Sequence, residues 1–532
     1  MHDKTAETGI TFHHTDGASG HYYIVEGVAA GLALFDYDND GDLDIYFLNG
    51  APLPGATADK PPRNHLYRND GNWHFTDVTE EAGVGDTGYG LGVTAADYDN
   101  DGDQDLYLNN FGPNVLYRNN GDRTFTEVTE AAGVGNGSRV GAGTCFLDID
   151  HDGDLDLYVA NYVNFSCDRN VTVTVAGFPR YPSPAVYGPD PDTLYRNNGD
   201  GTFTDISIES GIAAHAGTGM GMVCFDYDRD GDTDIFVCND TYADFLFQND
   251  GTGKFTEVGL EAGVAYNLQG RAGSSMGSDC GDYDNDGWLD LFRTDSYEDL
   301  PVLYHNLADG TFEDVTREAN IGSRSFPHVN WGTAFADFDN DGYRDLFMAC
   351  GHYQDNIEHT NDTTSYRAYN ILLWNTGKGR FKDVTAAAGD GMQVVTCSRG
   401  AVCNDLDGDG DIDCVILNSR GIPTILENVT NNSNHWIRIR LRGVKSNRDG
   451  VGARLTVKAG KLVSVDEVHS GRGYQSHAGM WLHFGLGQHQ QIDQIKVEWP
   501  SGKVDVVANL PADQSIEITE GTNKAVKFNY RR

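Results

Sequence analysis

The sequence is poor in positive charge. Its 532 residues hold 38 Lys and Arg against 80 Asp and Glu, a formal net charge of −42. A surface this acidic repels phosphate backbones, so nucleic acid is not expected as a partner. Basic patches that would hold anionic lipid are also missing. No run approaches the roughly 18–20 apolar residues that span a bilayer, so membrane insertion is not expected either. The first residues, Met1-His2-Asp3-Lys4, lack the apolar core of a signal peptide. C-x-x-C is absent, which leaves zinc-ribbon and thioredoxin chemistry without support. Aromatics are not scarce at 11%, which argues against an acidic disordered chain. The length suits about two to four ordinary domains, or one large repeat fold plus an extra domain.

Most of the acid excess lies in seven copies of D-x-D-x-D-G-x-x-D. The first is Asp36-Tyr37-Asp38-Asn39-Asp40-Gly41-Asp42-Leu43-Asp44. Positions 1, 3, 5 and 9 are Asp throughout. After Asp36, Asp38, Asp40 and Asp44 come Asp97, Asp99, Asp101 and Asp105, then Asp148, Asp150, Asp152 and Asp156. The fourth and fifth copies hold Asp226, Asp228, Asp230 and Asp234, then Asp282, Asp284, Asp286 and Asp290. The last two hold Asp337, Asp339, Asp341 and Asp345, then Asp405, Asp407, Asp409 and Asp413. Calcium takes about six to eight oxygens, and alternate carboxylates on a tight loop converge on one ion. Gly at position 6 permits the turn. Position 7 gives its backbone carbonyl, so Trp288 and Tyr343 are tolerated there. All seven copies keep the four side-chain ligands, and about seven Ca²⁺ sites are expected.

An EF-hand needs Glu at position 12 on an exiting helix. Here position 12 is Phe47, Leu108, Val159, Val237, Arg293, Met348 or Ile416. The flanking segments read as strands, such as 31–35 before the first loop and 43–48 after it. A second motif alternates with the loops: Leu66-Tyr67-Arg68-Asn69-Asp70-Gly71, then Phe75-Thr76-Asp77-Val78-Thr79, with versions starting at Leu116, Leu194, Leu246, Leu303 and Leu372. Asn-Gly and Asp-Gly mark hairpins, so each unit adds two more strands. Four-stranded units in radial repetition are propeller blades. The expected fold is all-β, a seven-bladed β-propeller with calcium loops plus a small C-terminal β-rich domain. Glu7-Thr8-Gly9-Ile10 resembles the unit end Glu81-Ala82-Gly83-Val84, so the N-terminal piece is expected to complete the last blade.

The D-x-D-x-D-G loops alternating with LYRNxG and F-x-D-V-T resemble FG-GAP/VCBS repeats, the repeat type of integrin-α-like propellers, over residues 1–428, with an insertion at 161–190. Residues 434–521 resemble the ASPIC/UnbV domain. The matching runs include Asn434-His435-Trp436, Asn447-Arg448-Asp449-Gly450-Val451-Gly452, Gly471-Arg472-Gly473-Tyr474-Gln475-Ser476 and His483-Phe484-Gly485-Leu486-Gly487. A tail at 522–532 follows. The combination resembles the cartilage-acidic-protein-like family, which implies a secreted, calcium-binding protein without implying an activity. Relatives carry paired cysteines around a Tyr-Cys-x-Pro element in the insertion; Cys167 is present here, but the element reads Tyr181-Pro182-Ser183-Pro184, so that disulfide is not expected.

Extracellular modules bind calcium at about 10⁻⁴–10⁻³ M, which points to a secreted or periplasmic protein whose signal lies outside this sequence. The nine cysteines are an odd number, and those near the loops (Cys145, Cys224, Cys350, Cys414) read as buried thiols. Gly273-Ser274-Ser275-Met276-Gly277 matches G-x-S-x-G but lacks the strand–turn–helix context of a nucleophile elbow. His13, His14 and His21 read as exposed. At the strand ends beside the central channel, Glu26, Asp240, Asp295 and His352 are candidate acid–base groups, with Arg399 stabilising an anion. Three readings compete. The first is a recognition or adhesion module, expected to be monomeric, that presents a protein, glycan or small-molecule ligand site on the propeller face. The second is a calcium-dependent cyclase, isomerase or lyase at the channel mouth. The third places sugar stacking on Trp436, Tyr474, Trp481 and Trp499, although in a domain of about 90 residues core packing is the expected role of most of them.

Overall fold

The computed structural model describes residues 1–28, 30–58 and 60–528. Each acidic loop joins two strands that pair across it. In the first repeat Leu32–Phe35 pairs with Asp44–Phe47, which pairs with His65–Asn69, which pairs with Phe75–Asp77, all antiparallel. The first two strands are buried along their whole length, and the outer two carry exposed or half-exposed positions. A strand covered on both faces reads as a continuous apolar run, which accounts for Leu32-Ala33-Leu34-Phe35.

Seven such sheets of four strands occur among the described residues. Their inner strands are Leu32–Phe35, Tyr89–Ala96, Gly141–Leu147, Gly219–Phe225, Ser278–Gly281, Asn330–Ala336 and Ser398–Asn404. Each lies beside the next, and the seventh returns to the first, closing a ring. The last sheet is completed by His2–Asp3, which pairs with Thr424–Glu427.

The ring is tight at its centre because a glycine stands five residues before every loop: Gly31, Gly92, Gly143, Gly221, Gly277, Gly332 and Gly400. A Cβ at Gly221 would lie 2.5 Å from the Met276 carbonyl oxygen, and one at Gly332 would lie 2.5 Å from the Ala401 nitrogen. These are main-chain atoms of the neighbouring inner strand (Ala401) and of the segment leading into one (Met276), so no side chain can rotate away.

The C-terminal domain has two further four-stranded sheets. His435–Arg442 pairs antiparallel with Leu482–Gly487 and parallel with Gln514–Thr519. Arg454–Ala459 runs between Leu462–Glu467 and Gln491–Glu498. The tail expected at 522–532 starts later: Ala525–Lys527 is an edge strand on Gln514–Thr519, held because Ala525 packs on the core that contains Ile516 and Ile518. Residues 529–532 lie outside the described residues.

The insertion at 161–190 folds over one mouth of the ring. Its hairpin, Val173–Val175 with Phe178–Arg180, is tied down by the Gln354 amide, which bonds the Tyr181 main chain in both directions. All nine cysteines are free thiols, and the sulfurs of Cys145 and Cys224, on adjacent inner strands, lie 2.8 Å apart. No helix among the described residues is long and apolar enough to cross a membrane.

Candidate functional site

The loops share one internal geometry. The position 1 carboxylate accepts the backbone N–H of position 6 in every loop, and that of position 5 as well in the first, second, fifth and sixth: Asp36 from Asp40 at 3.0 Å and Gly41 at 3.1 Å, Asp97 from Asp101 at 3.0 Å and Gly102 at 2.8 Å. The position 9 carboxylate has both oxygens engaged. Asp105 accepts from Tyr98 N at 3.1 Å and from Asn119 N, on the third strand, at 2.8 Å. It therefore ties the loop to its own sheet as well as standing beside the ion position. Position 4 is left-handed in every loop, with Asn39, Asn100, His151, Arg229, Asn285 and Asn340 at φ 56–62 and Gly408 at φ 76. Asn tolerates that region better than most residues.

Position 4 also reaches the next blade. Asn39 donates to Asp103 at 2.6 Å, Asn100 to Asp154 at 3.1 Å and Asn340 to Asp411 at 2.9 Å, each at position 7 of the following loop. His151 pairs with Asp232 at 2.7 Å. Where position 7 is Trp288, position 4 of the preceding loop is Arg229, which stacks on the indole at 5.0 Å. Position 7 side chains thus clasp neighbouring loops together, a role that repeat spacing alone did not reveal.

Carboxylate oxygens of positions 1, 3 and 5 lie within 4.8 Å of one another in Asp36/Asp38/Asp40, Asp97/Asp99/Asp101 and Asp226/Asp228/Asp230. Asp148, Asp150 and Asp156 form the same kind of cluster. In the fifth loop Asp284 and Asp290 are joined by His305, a third-strand residue that spacing did not single out. Burial, reinforced by neighbouring carboxylates, pushes Asp36 up to about 6, Asp40 to about 7 and Asp282 to about 8. One oxygen each of Asp38, Asp148, Asp150 and Asp226 is buried without a partner, while the second Asp38 oxygen pairs with Arg123 at 3.2 Å. Buried acceptors of this kind, all oxygen and all anionic, fit a hard divalent cation.

The C-terminal domain covers the loop side of the ring. Asp449 accepts the N–H of Asp97 at 2.8 Å, Glu467 accepts that of Asp226 at 3.1 Å, and Arg440 pairs with Asp36 at 3.3 Å. Residues 470–477 of this domain enter the channel. Gly473 exchanges both backbone hydrogen bonds with Ser278, Gln475 O accepts from Val93, and His477 O accepts from Leu34. Tyr474 is wholly buried, packed edge-on to Trp331 at 5.0 Å, with its hydroxyl donating to Val28 O. Core packing, expected for most of the C-terminal aromatics over sugar stacking, is what three of the four show. Tyr474, Trp481 and Trp499 are buried, and Trp436 lies against His483.

The opposite mouth stays open beneath the insertion, as a cavity of about 420 Å³. Tyr162, Tyr297, Trp331, Tyr353 and Met276 line it, with Asp240, Ser274 and Arg180. Of the five acid–base and anion candidates, only Asp240 lines this cavity. Burial lifts it to about 6, and it accepts the Tyr162 hydroxyl at 2.8 Å. Glu26 sits behind the wall, held by Ser19 and the Tyr181 hydroxyl. Asp295 pairs with the buried Arg293 at 2.6 Å. His352 accepts the Gln354 N–H at Nδ1, and burial lowers it to about 3, so it stays neutral. The anion role expected of Arg399 fails on geometry. Its guanidinium donates to the carbonyls of Gly27, Gly351, Ser398 and His352 and stacks on Trp331 at 4.2 Å. Ser275 is buried and donates to Asp244 at 3.0 Å, which removes it as a nucleophile. His14, expected at the surface, is buried, with Nδ1 accepting the Arg420 N–H.

Comparison with known proteins places these parts. The FG-GAP-like repeat model matches residues 36–108, 97–159, 185–237, 226–293 and 282–348. The ASPIC and UnbV model matches 443–525. Human cartilage acidic protein 1 is 26% identical over 517 residues, covering 92% of this chain and 71% of that protein. The Mus musculus protein is 25% identical over 504 residues, covering 89% and 71%. Among solved structures, an Agrocybe aegerita lectin specific for non-reducing terminal N-acetylglucosamine shares 18% identity at TM-score 0.37, over 67% of this chain and 81% of that one. A Bacillus licheniformis rhamnogalacturonan lyase shares 14% at TM-score 0.38, over 76% and 72%. With repeat matches over more than half of its length and the terminal domain matched beside them, the chain belongs to the FG-GAP-like repeat family, in the arrangement that ends in an ASPIC and UnbV domain.

Proposed function

We propose that the protein is a secreted, calcium-stabilised recognition module, with about seven Ca²⁺ held by the loops and a ligand taken at the opposite mouth of the ring. The observation that carries this reading is the separation of the two faces. The loops lie under the C-terminal domain, with the backbone N–H groups of Asp97 and Asp226 donating to Asp449 and Glu467 and the Asp36 carboxylate paired with Arg440. The cavity at the other mouth is lined by none of them. Calcium in the loops therefore acts on rigidity rather than on the ligand. Positions 1, 3, 5 and 9 supply the side-chain oxygens, and the ions neutralise carboxylates that are costly to bury alone. Secretion fits loops of this class, which fill at extracellular calcium levels.

Elemental analysis of protein equilibrated with calcium should give close to seven ions per chain, and chelation should lower the melting temperature, because ions bound by the native state alone stabilise it by mass action. Zero to two ions, or a melting curve indifferent to chelator, refutes the reading. An enzyme reading is favoured by one feature, Asp240, which lines the cavity with a pKa raised to about 6. That reading requires a substrate whose turnover Asp240→Asn abolishes.

A further inference from the structure

We propose that the mouth cavity binds a hydroxylated ring compound bearing a single carboxylate, with that carboxylate paired to Arg180. This rests on reading the mouth as the recognition face.

Arg180 closes the insertion hairpin and is 7% exposed. Its Nε is buried without a hydrogen-bond partner, and Arg180 takes part in no ion pair among the described residues. Other buried arginines are engaged: Arg293 by Asp244 and Asp295, Arg472 by Asp279, Arg399 by four carbonyls. A buried charge without a partner is strongly unfavourable, and this chain has 80 acidic residues from which a partner could have come. A guanidinium kept unpaired at a cavity wall marks the place of an anion supplied from outside.

The rest of the wall narrows the ligand. A planar guanidinium matches a carboxylate in a two-bond fork. Asp240 lines the same cavity and disfavours a dianion such as phosphate, while its carboxylate accepts a ligand hydroxyl. Tyr297 and Tyr353, both half-buried, offer ring surface, with Tyr162 and Trp331 packed behind them. The volume of about 420 Å³ lies within the range of small-ligand sites. On the rim Thr241, a β-branched residue, is held at φ 66, a strained conformation of the kind that gathers at ligand sites.

Two sources share this chemistry: a sugar acid and an aromatic hydroxy acid. The calcium-loaded full chain would be titrated by calorimetry with glucuronate and with 4-hydroxybenzoate, each beside a neutral counterpart, methyl glucoside and 4-hydroxybenzamide. One acid is expected to bind at least about tenfold more tightly than its neutral counterpart, and which acid does so identifies the source. Arg180→Met should weaken that acid by at least about tenfold, with a melting temperature equal to or above the parent's, while Arg180→Lys retains part of the affinity. Neutral counterparts that bind as well as the acids, or full affinity in Arg180→Met, overturn the assignment. If neither acid binds while chelator still lowers the melting temperature, the assignment falls and the calcium reading stands. If the acids bind in an Arg180-dependent way to a protein indifferent to chelator, the calcium reading falls and the assignment stands.

Discussion

Substituting Gly332 by Ala tests the closeness of the ring directly. The added Cβ would lie 2.5 Å from Ala401 N, 2.9 Å from Arg399 O and 3.0 Å from Ala401 Cβ. Ordinary contacts begin near 3.4 Å, so the two inner strands would have to part by roughly 0.9 Å. Both strands are bounded on their far sides by further blades, and the gap between them cannot widen without disturbing the circle. Overpacking a core costs typically about 1–3 kcal/mol. Because the opposing atoms are main chain, about 3 kcal/mol is expected here. Unfolding entropy near 2.1 cal/mol/K per residue makes that roughly 3 °C for a cooperative ring of this length. The assay is calorimetric melting in saturating calcium, with Gly135→Ala as the control. A Cβ at Gly135 meets only Thr129 Cγ2 at 3.6 Å, and that variant should stay within about 0.5 kcal/mol of the parent. If Gly332→Ala melts with the control, the ring has slack and the recurrent glycine has another cause.

Arg399→Met should destabilise by about 3 kcal/mol or more, since the carbonyls of Gly27, Gly351, Ser398 and His352 lose donors at about 1–3 kcal/mol each; urea unfolding reads this, and a neutral result refutes the tie. Asn100→Ala removes the bond to Asp154 and should weaken calcium retention at the second and third loops without unfolding the ring, seen as fewer ions by elemental analysis. Glu520 has a defined pH window. Burial raises its carboxyl, but the Ser501 hydroxyl and the N–H groups of Lys445, Val444 and Ser446 outweigh that and hold it near 2, against an ordinary 4.5. A depressed carboxyl contributes stability above its unfolded value and loses it as pH falls through the folded one. The parent should therefore lose stability relative to Glu520→Gln between about pH 4.5 and 2, and parallel curves would refute this.

The loops were legible because their chemistry is local: nine residues carry the carboxylates, the glycine and the turn. The strands around them were legible for the same reason, and so was the closure by His2–Asp3, since Glu7-Thr8-Gly9-Ile10 repeats a unit end. What escaped is non-local. Gly31, Gly92 and their five counterparts keep a fixed offset from each loop, a visible signal whose meaning appears only when a neighbouring strand or, at Gly31, the Gln475 carbonyl of the plug closes on it. The clasp from Arg229 to Trp288 joins different repeats. Arg399 looked like a free cation beside the channel, yet its partners are backbone carbonyls, which sequence does not display. Arg180 lies in an insertion without periodicity, and only its lack of partners sets it apart.

The plug at residues 470–477 has a consequence for biosynthesis. A ribosome delivers all seven blades before it delivers Gly473 and Gln475. The N–H groups of Leu34, Val93 and Ser278, which the plug satisfies, are therefore made long before their acceptors. The nascent ring must wait with an open axle, its central main chain bonded to water. The last fifth of synthesis then threads a hub into a wheel whose rim is already laid down.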